Sequence, residues 1–383
     1  MDVPWRLIPA HEARPISPPA EVRARGWIRD LIAQLRPRRE LPTEVGPSED
    51  RLEPVEEARL ERIAPEPPRH AQRAALDALR GHADRAIVLR PDDGGWDAVL
   101  DASAAAGPEV VTSAGPGSTR DVLPQSLLDR LADPEPLHLS RIERWFVRHH
   151  DGLGAIRALL ATLGAREGPW TADLGRWSWA WMRHVLPEAR GLPSPWMPAP
   201  LDGDALQAWL GGDENVRVRG RGGTPDASIF RSLAMQSRGE AGTALAIWRV
   251  ALRDGFERAV ETRAAEEASE ENRGEETAAE EAEAPPGTVW LRHPDDLDLP
   301  TTVGLGRDDL LLIHAVLLHG GATSDVLARS LNVGTPAVEA ALRPMEARGV
   351  LVRSDDGAVR AAALALPAIR TRLDAEAFAG DAP

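Results

Sequence analysis

Between residues 69 and 210, short apolar runs alternate with longer segments whose apolar positions recur every three or four residues. This alternation constrains the fold more than any other feature, because strands separated by helices favour a mostly parallel sheet covered on both faces. Arg69 to Leu79 reads as a helix and Arg85 to Leu89 (RAIVL) as a strand. Trp96 to Ala106 is a helix, Glu109 to Ser113 a strand and Asp121 to Leu131 a helix. Pro136 to Leu139 is a third strand, and Asp151 to Leu163 (DGLGAIRALLATL) an amphipathic helix. Pro169 to Leu174 is a fourth strand, before a Trp-rich helix from about Trp177 to Val185.

The C-terminal region, 286–378, carries a different order. Arg307 to His319 is an apolar helix closed by Gly320 and Gly321. Asp325 to Leu331 is a second helix, capped by Thr323 or Ser324. Asn332-Val333-Gly334 is a turn. Thr335 to Arg348 is a third helix with Pro336 at its tolerated first position. Val350 to Arg353 and Ala358 to Ala362 flank Ser354-Asp355-Asp356-Gly357, a hairpin signal. Helix, helix, turn, helix and a two-stranded wing are the order of a winged helix-turn-helix, and a last helix runs to about Phe378.

Three further segments connect these regions. Residues 1–68 are Pro-rich and charged and read as an arm or linker, with a short helix over Val22 to Leu35. Residues 226–262 are helical, over Ile229 to Gln236 and then Thr243 to Val260. The linker 263–285 lies in a Glu-rich tract, Glu257 to Glu283, too polar to form a core.

Composition narrows the chemistry. The 45 basic residues are all Arg, so the chain contains no lysine, and it contains no Cys. Disulfides, thiolate metal sites and Cys nucleophiles are therefore excluded. The start of the chain does not read as a secretory signal, and no stretch approaches the length of a bilayer span. A soluble, cytoplasmic protein with no membrane association is expected. A dedicated nucleic-acid binder is usually basic overall or carries a basic face; of the net charge of −15 much sits in one segment, so local charge matters more than the total.

On this order of elements, residues 69–210 resemble the α/β core of AAA+/STAND-type P-loop ATPases. Residues 226–262 then correspond to the helical lid, where SRGEAGTALAIW (Ser237 to Trp248) looks like a lid motif of the group. The winged helix (α+β) completes the resemblance. It implies a P-loop-NTPase-like fold with a phosphate loop after the Arg85–Leu89 strand and a metal-binding acid after the third strand. The residues depart from the pattern at both places. A phosphate loop needs glycines, a Lys and a Ser/Thr. Here the loop is Arg90-Pro91-Asp92-Asp93-Gly94-Gly95-Trp96, and the acidic pair is replaced by Ser140-Arg141, with Glu143 close by.

Other candidates are weaker. Gly115, Gly117, Ser118, Thr119 and Arg120 lie between a strand and a helix, where backbone N–H groups can face an anion. His149 and His150 are adjacent and, on a helix, point apart, so no metal site is expected. Trp177, Trp179 and Trp181 read as core or as anchors for a partner. Thr335, Arg343, Arg348, Arg353 and Arg360 are the contacts the winged helix offers to DNA or a partner. From Arg307 to Phe378 eight Arg stand against nine acids, so the module should bind phosphate weakly.

The sequence thus predicts a non-catalytic, ATPase-like regulatory or scaffolding protein without a cofactor. Its expected partner is a protein, such as an active ATPase paralogue, with DNA as the alternative through the winged helix. Two other readings stand beside it: a winged-helix transcriptional regulator, and an ATP-binding protein with a remodelled phosphate site.

Overall fold

The computed structural model describes residues 5–14, 16, 52–105, 123–211, 218–219, 227–254 and 289–378. Its strands, in chain order, are β1 (Leu7–Pro9), β2 (Glu53–Pro54), β3 (Arg85–Arg90), β4 (Leu137–Leu139), β5 (Trp170–Gly175), β6 (Trp196–Pro198), β7 (Val218–Arg219), β8 (Leu252–Asp254), β9 (Val289–Leu291), β10 (Leu351–Arg353) and β11 (Val359–Ala361).

The main sheet is mixed and mostly parallel, in the order β1-β6-β3-β5-β4. Strand β3 pairs in parallel with β5, from Arg85 opposite Trp170 to Arg90 opposite Gly175. It also pairs in parallel with β6, and β4 pairs in parallel with β5. Alternate residues of a strand face opposite sides. Ala86 and Val88 accordingly join one apolar cluster, with Leu76, Val99, Phe230 and Trp248. Ile87 and Leu89 join the other, with Ile156, Leu159, Trp179 and Met182. Burial on both faces explains why RAIVL lacks a polar alternation.

Several expectations are corrected. Residues 1–68 are not simply an arm. β1 closes the sheet edge antiparallel to β6, and Trp5 is buried against Trp96 and Trp209, with ring centroids 6.4 and 5.3 Å apart. Glu57–Ile63 is a helix whose Ile63 is in the core. Tertiary burial of isolated apolar residues overrides the local Pro-rich signal. The predicted helix over Thr243 to Val260 ends at Ala251. Leu252–Asp254 instead forms β8 in a second sheet, β2-β8-β9-β7, because β2 and β9 on either side supply its backbone partners. The predicted helix at 22–35, the strand at 109–113 and the linker 263–285 lie outside the described residues.

Residues 307–378 form a module with its own core. The helices Arg307–Leu318, Ser324–Leu331 and Thr335–Ala347 are followed by the β10–β11 hairpin and the helix Leu366–Ala375. Asn332 ends the second helix at φ 55°, a left-handed conformation Asn tolerates. The module is packed onto the sheet domain. Trp177 belongs to the module's apolar cluster and meets His314 edge-on at 5.7 Å. Leu318 reaches into the sheet's cluster, and Ser178 Oγ donates to Leu318 O at 2.5 Å.

Candidate functional site

The carboxyl ends of parallel strands are where open α/β sheets bind ligands. Here they carry a dense cluster of charge. Arg90, the last residue of β3, donates from Nε and Nη2 to Asp173 Oδ1 at 3.0 and 2.7 Å. It also donates to Asp97 at 2.8 Å and Asp101 at 2.9 Å. Asp97 and Asp101 are four positions apart on the Asp97–Ala105 helix and so share one face. Arg141, just after β4, reaches the same two carboxylates at 2.8 and 3.2 Å. Its own N–H donates to Asp173 Oδ1 at 3.1 Å. It does so from φ 52°, a conformation rare for a side chain of this size.

Burial shapes the titration of these groups. Asp173 lies within β5 and is fully buried. Burial raises its pKa, but Arg90 and then His138, whose Nε2 is 3.2 Å from Oδ2, hold it far below the carboxylate range. Asp97 is likewise depressed, burial being outweighed by Arg90 and Arg141. Arg90 is raised: burial works against its charge, but Asp173, Asp97 and Asp101 dominate.

The loop after β3 faces the adjoining helical pair and is filled by its own carboxylates. Asp93 Oδ1 accepts from Gly95 N at 3.0 Å, and Oδ2 from Thr243 N at 2.9 Å. Asp93 thus occupies the amino end of the Ala241–Ala251 helix, where a bound anion would sit. Burial and then Glu240 push its pKa up to about 6. Asp92 Oδ2 accepts from Trp177 Nε1 at 3.0 Å and from Arg370 Nη2 at 3.1 Å. Arg176 stands 3.7 Å from the same oxygen. Glu240 pairs with Arg176 and, at 2.6 Å, with Arg370. Gly95 is required by contact, since a Cβ there would lie 2.7 Å from Gly242 N.

A cavity of about 160 Å³ opens beside this loop, between the strand ends and the C-terminal module. Glu143 lines it, is fully buried, and has no hydrogen-bond partner for either oxygen among the described residues. Burial pushes its pKa up to about 7 against the pull of Arg90 and Arg141. Gly320 leaves it room: a Cβ there would lie 2.7 Å from Glu143 Oε1. Arg360 of β11 lines the same cavity. With Arg141, Glu143 and Arg360 among its lining residues, a space of this size suits water or a compact polar ligand.

The sequence-predicted residues divide among several places. Gly115, Gly117, Ser118, Thr119 and Arg120 lie outside the described residues. Trp177, Trp179 and Trp181 are corrected as external anchors: they are 0%, 2% and 8% exposed and fill this chain's own cores. Thr335 Oγ1 donates to Asp325 at 3.0 Å. Arg348 binds the carbonyls of Thr301 and Val303 at 3.3 and 2.5 Å. Arg353 pairs with Glu339 and Glu346 at 3.1 and 3.0 Å. Arg343 is exposed on the third helix, and Arg360 faces the cavity. His149 and His150 are also corrected. The segment is a short 3-10 turn rather than a helix, and the two rings lie 4.0 Å apart. Sequence reading missed Arg370, although an Arg beside Ile369 on an apolar helix signals a buried ion pair.

Some solved structures are similar to this chain over most of their length. A Walker-type ATPase of Pyrococcus abyssi is 12% identical with a TM-score of 0.32, over 79% of this chain and 95% of that one. Cdc6p of Pyrobaculum aerophilum is 14% identical with a TM-score of 0.27, over 82% and 98%. The ORC2 protein of Aeropyrum pernix, in its ADPNP–ADP complexes, is 14% identical with a TM-score of 0.28, over 87% and 96%. No family model matches the sequence, and neither does a curated protein sequence.

Proposed function

We propose that this is a non-catalytic, P-loop-ATPase-like regulatory or scaffolding protein. One observation carries the reading. At the loop where such a fold presents backbone N–H groups to phosphate, Asp93 takes the Gly95 N–H and the Thr243 N–H of the facing helix, and Asp92 takes Arg176 and Arg370. An added phosphate would meet two carboxylates and find its cationic partners already paired. The absence of any lysine argues the same way.

The C-terminal module acts in this proposal as a winged helix devoted to protein contact, an active ATPase paralogue being the expected partner. Arg353 and Arg348, two of the contacts the module offers to DNA or a partner, are already committed within the chain. Arg343 keeps DNA binding alive as a second reading, since it is exposed on the helix that would enter the major groove. Remodelled ATP binding is the third reading; Arg141 and Arg360, which line the cavity beside Gly94, are the residues that would favour it.

Calorimetric titration of ATP and ADP with Mg²⁺ into the full chain tests the proposal. No heat at saturating nucleotide is expected. Saturable binding abolished by Arg370→Met or Arg141→Met would overturn it. Among the described residues, no helix is long and apolar enough to cross a membrane.

A further inference from the structure

The turn from Val147 to Gly152 precedes the Gly154–Ala165 helix and is fixed at both ends. Val147 is buried in the C-terminal module's apolar cluster. Its N–H donates to Gly152 O at 3.2 Å, and Gly152 N donates to His149 O at 2.9 Å. Gly152 packs so closely that an added Cβ would lie 3.0 Å from Val147 Cβ. Between these anchors project three side chains that carry metal-ligating atoms, His149, His150 and Asp151.

The ligating atoms converge. His150 Nε2 lies 3.0 Å from Asp151 Oδ2, and His149 Nδ1 lies 3.9 Å from the same oxygen. One ligand atom from each residue falls within 4.8 Å of both others. With metal bonds of about 2.0–2.2 Å, tetrahedral donors stand roughly 3.3–3.6 Å apart. The two separations to Asp151 Oδ2 bracket that spacing, so side-chain rotation alone can bring the donors into place. Asp151 N donates toward His149 Nδ1 at 3.4 Å, a long contact that an ion bound at that nitrogen would replace. The flanking Arg148 reaches inward to His314 at 3.5 Å rather than lying over the turn.

We propose that His149, His150 and Asp151 bind a divalent ion of the zinc class. Two imidazoles and a carboxylate suit borderline ions such as Zn²⁺ over the hard, oxygen-seeking Mg²⁺ and Ca²⁺. His150 and Asp151 are 77% and 69% exposed at the side chain, so water or a partner's ligand completes the coordination. The turn borders the seam between sheet and module, where Phe146 stacks on Trp181 at 5.2 Å and meets His319 at 5.0 Å. A bound ion therefore stiffens a segment on which the module rests, and it stabilises the fold by mass action.

The test is calorimetric titration of Zn²⁺ into the chelator-treated full chain with excess Mg²⁺ present. One equivalent is expected, with a rise in melting temperature. His150→Ala and His149→Ala should each weaken binding about tenfold or more, which is about 1.4 kcal/mol. His150→Gln, on a mostly exposed side chain, serves as the variant least able to disturb folding. Absence of saturable binding by the wild-type chain would overturn the proposal. So would binding unchanged in the double variant His149→Ala/His150→Ala, since other histidines would then hold the ion.

Discussion

Arg370 and Asp92 stand 278 positions apart in the chain, and their side chains meet at 3.1 Å. Arg370 is 1% exposed and belongs to the last helix of the C-terminal module, whereas Asp92 belongs to the loop after β3. A guanidinium fully desolvated at the seam also holds Glu240 at 2.6 Å. The module is thus an integral part of the charge balance at the strand ends.

Removing Arg370 should be costly. Arg370→Met leaves Asp92 and Glu240 buried beside each other with less compensation, and loss of one partner of a buried pair costs about 3–5 kcal/mol. Urea denaturation measures it. The double variant Arg370→Met/Asp92→Asn should recover part of the loss. Additive losses would show that the two residues do not interact.

The pH dependence of stability has opposite signs at two buried acids. Glu143 is raised from 4.5 to about 7, so its contribution is present below 4.5 and is lost as pH rises through about 7. Glu143→Gln should therefore be more stable than wild type at pH 8, by on the order of 2–3 kcal/mol, and equal near pH 4. Asp173 is depressed, so its contribution is present above 3.8 and is lost as pH falls below that. Asp173→Asn should lose stability at neutral pH and flatten the acid limb. Thermal melts across pH 3 to 9 test both signs, and parallel curves for all three chains would contradict them.

Gly95→Ala should separate the loop from the helix it caps. Its Cβ would stand 2.7 Å from Gly242 N and 3.3 Å from Ala241 Cβ. These atoms lie at a helix start and have no flexible end to yield. A loss of about 1–3 kcal/mol in chemical denaturation is expected. An unchanged midpoint would mean that loop and helix are not in contact.

DNA binding, if the module retains it, should depend on Arg343 and not on Arg353. Arg343 is exposed, whereas Arg353 is held by Glu339 and Glu346. Fluorescence anisotropy with short duplexes at low salt should show weak binding with a shallow salt slope. Arg343→Ala should reduce it, and Arg353→Ala should leave it unchanged. Tight, sequence-selective binding would favour the transcriptional-regulator reading.

The main strands were legible in the sequence because their cause is local. Arg85–Leu89 is an apolar run, Pro169–Leu174 is a short segment fitting the strand–helix alternation, and β3 and β5 fall within a residue of those limits. The three-helix and hairpin order of the C-terminal module was legible for the same reason, through glycines, caps and Ser354–Gly357. Local pattern also exposed the missing lysine and the two carboxylates after β3.

The tertiary structure decided what those residues do. That Trp5 is core, that Leu252–Asp254 is a strand, and that Trp177 faces the C-terminal module all depend on neighbours distant in the chain. The same holds for Asp92 with Arg370. Periodicity records which side of an element is apolar. It holds no record of which element covers that side, because pairing free energy belongs to surfaces brought together only by the completed fold.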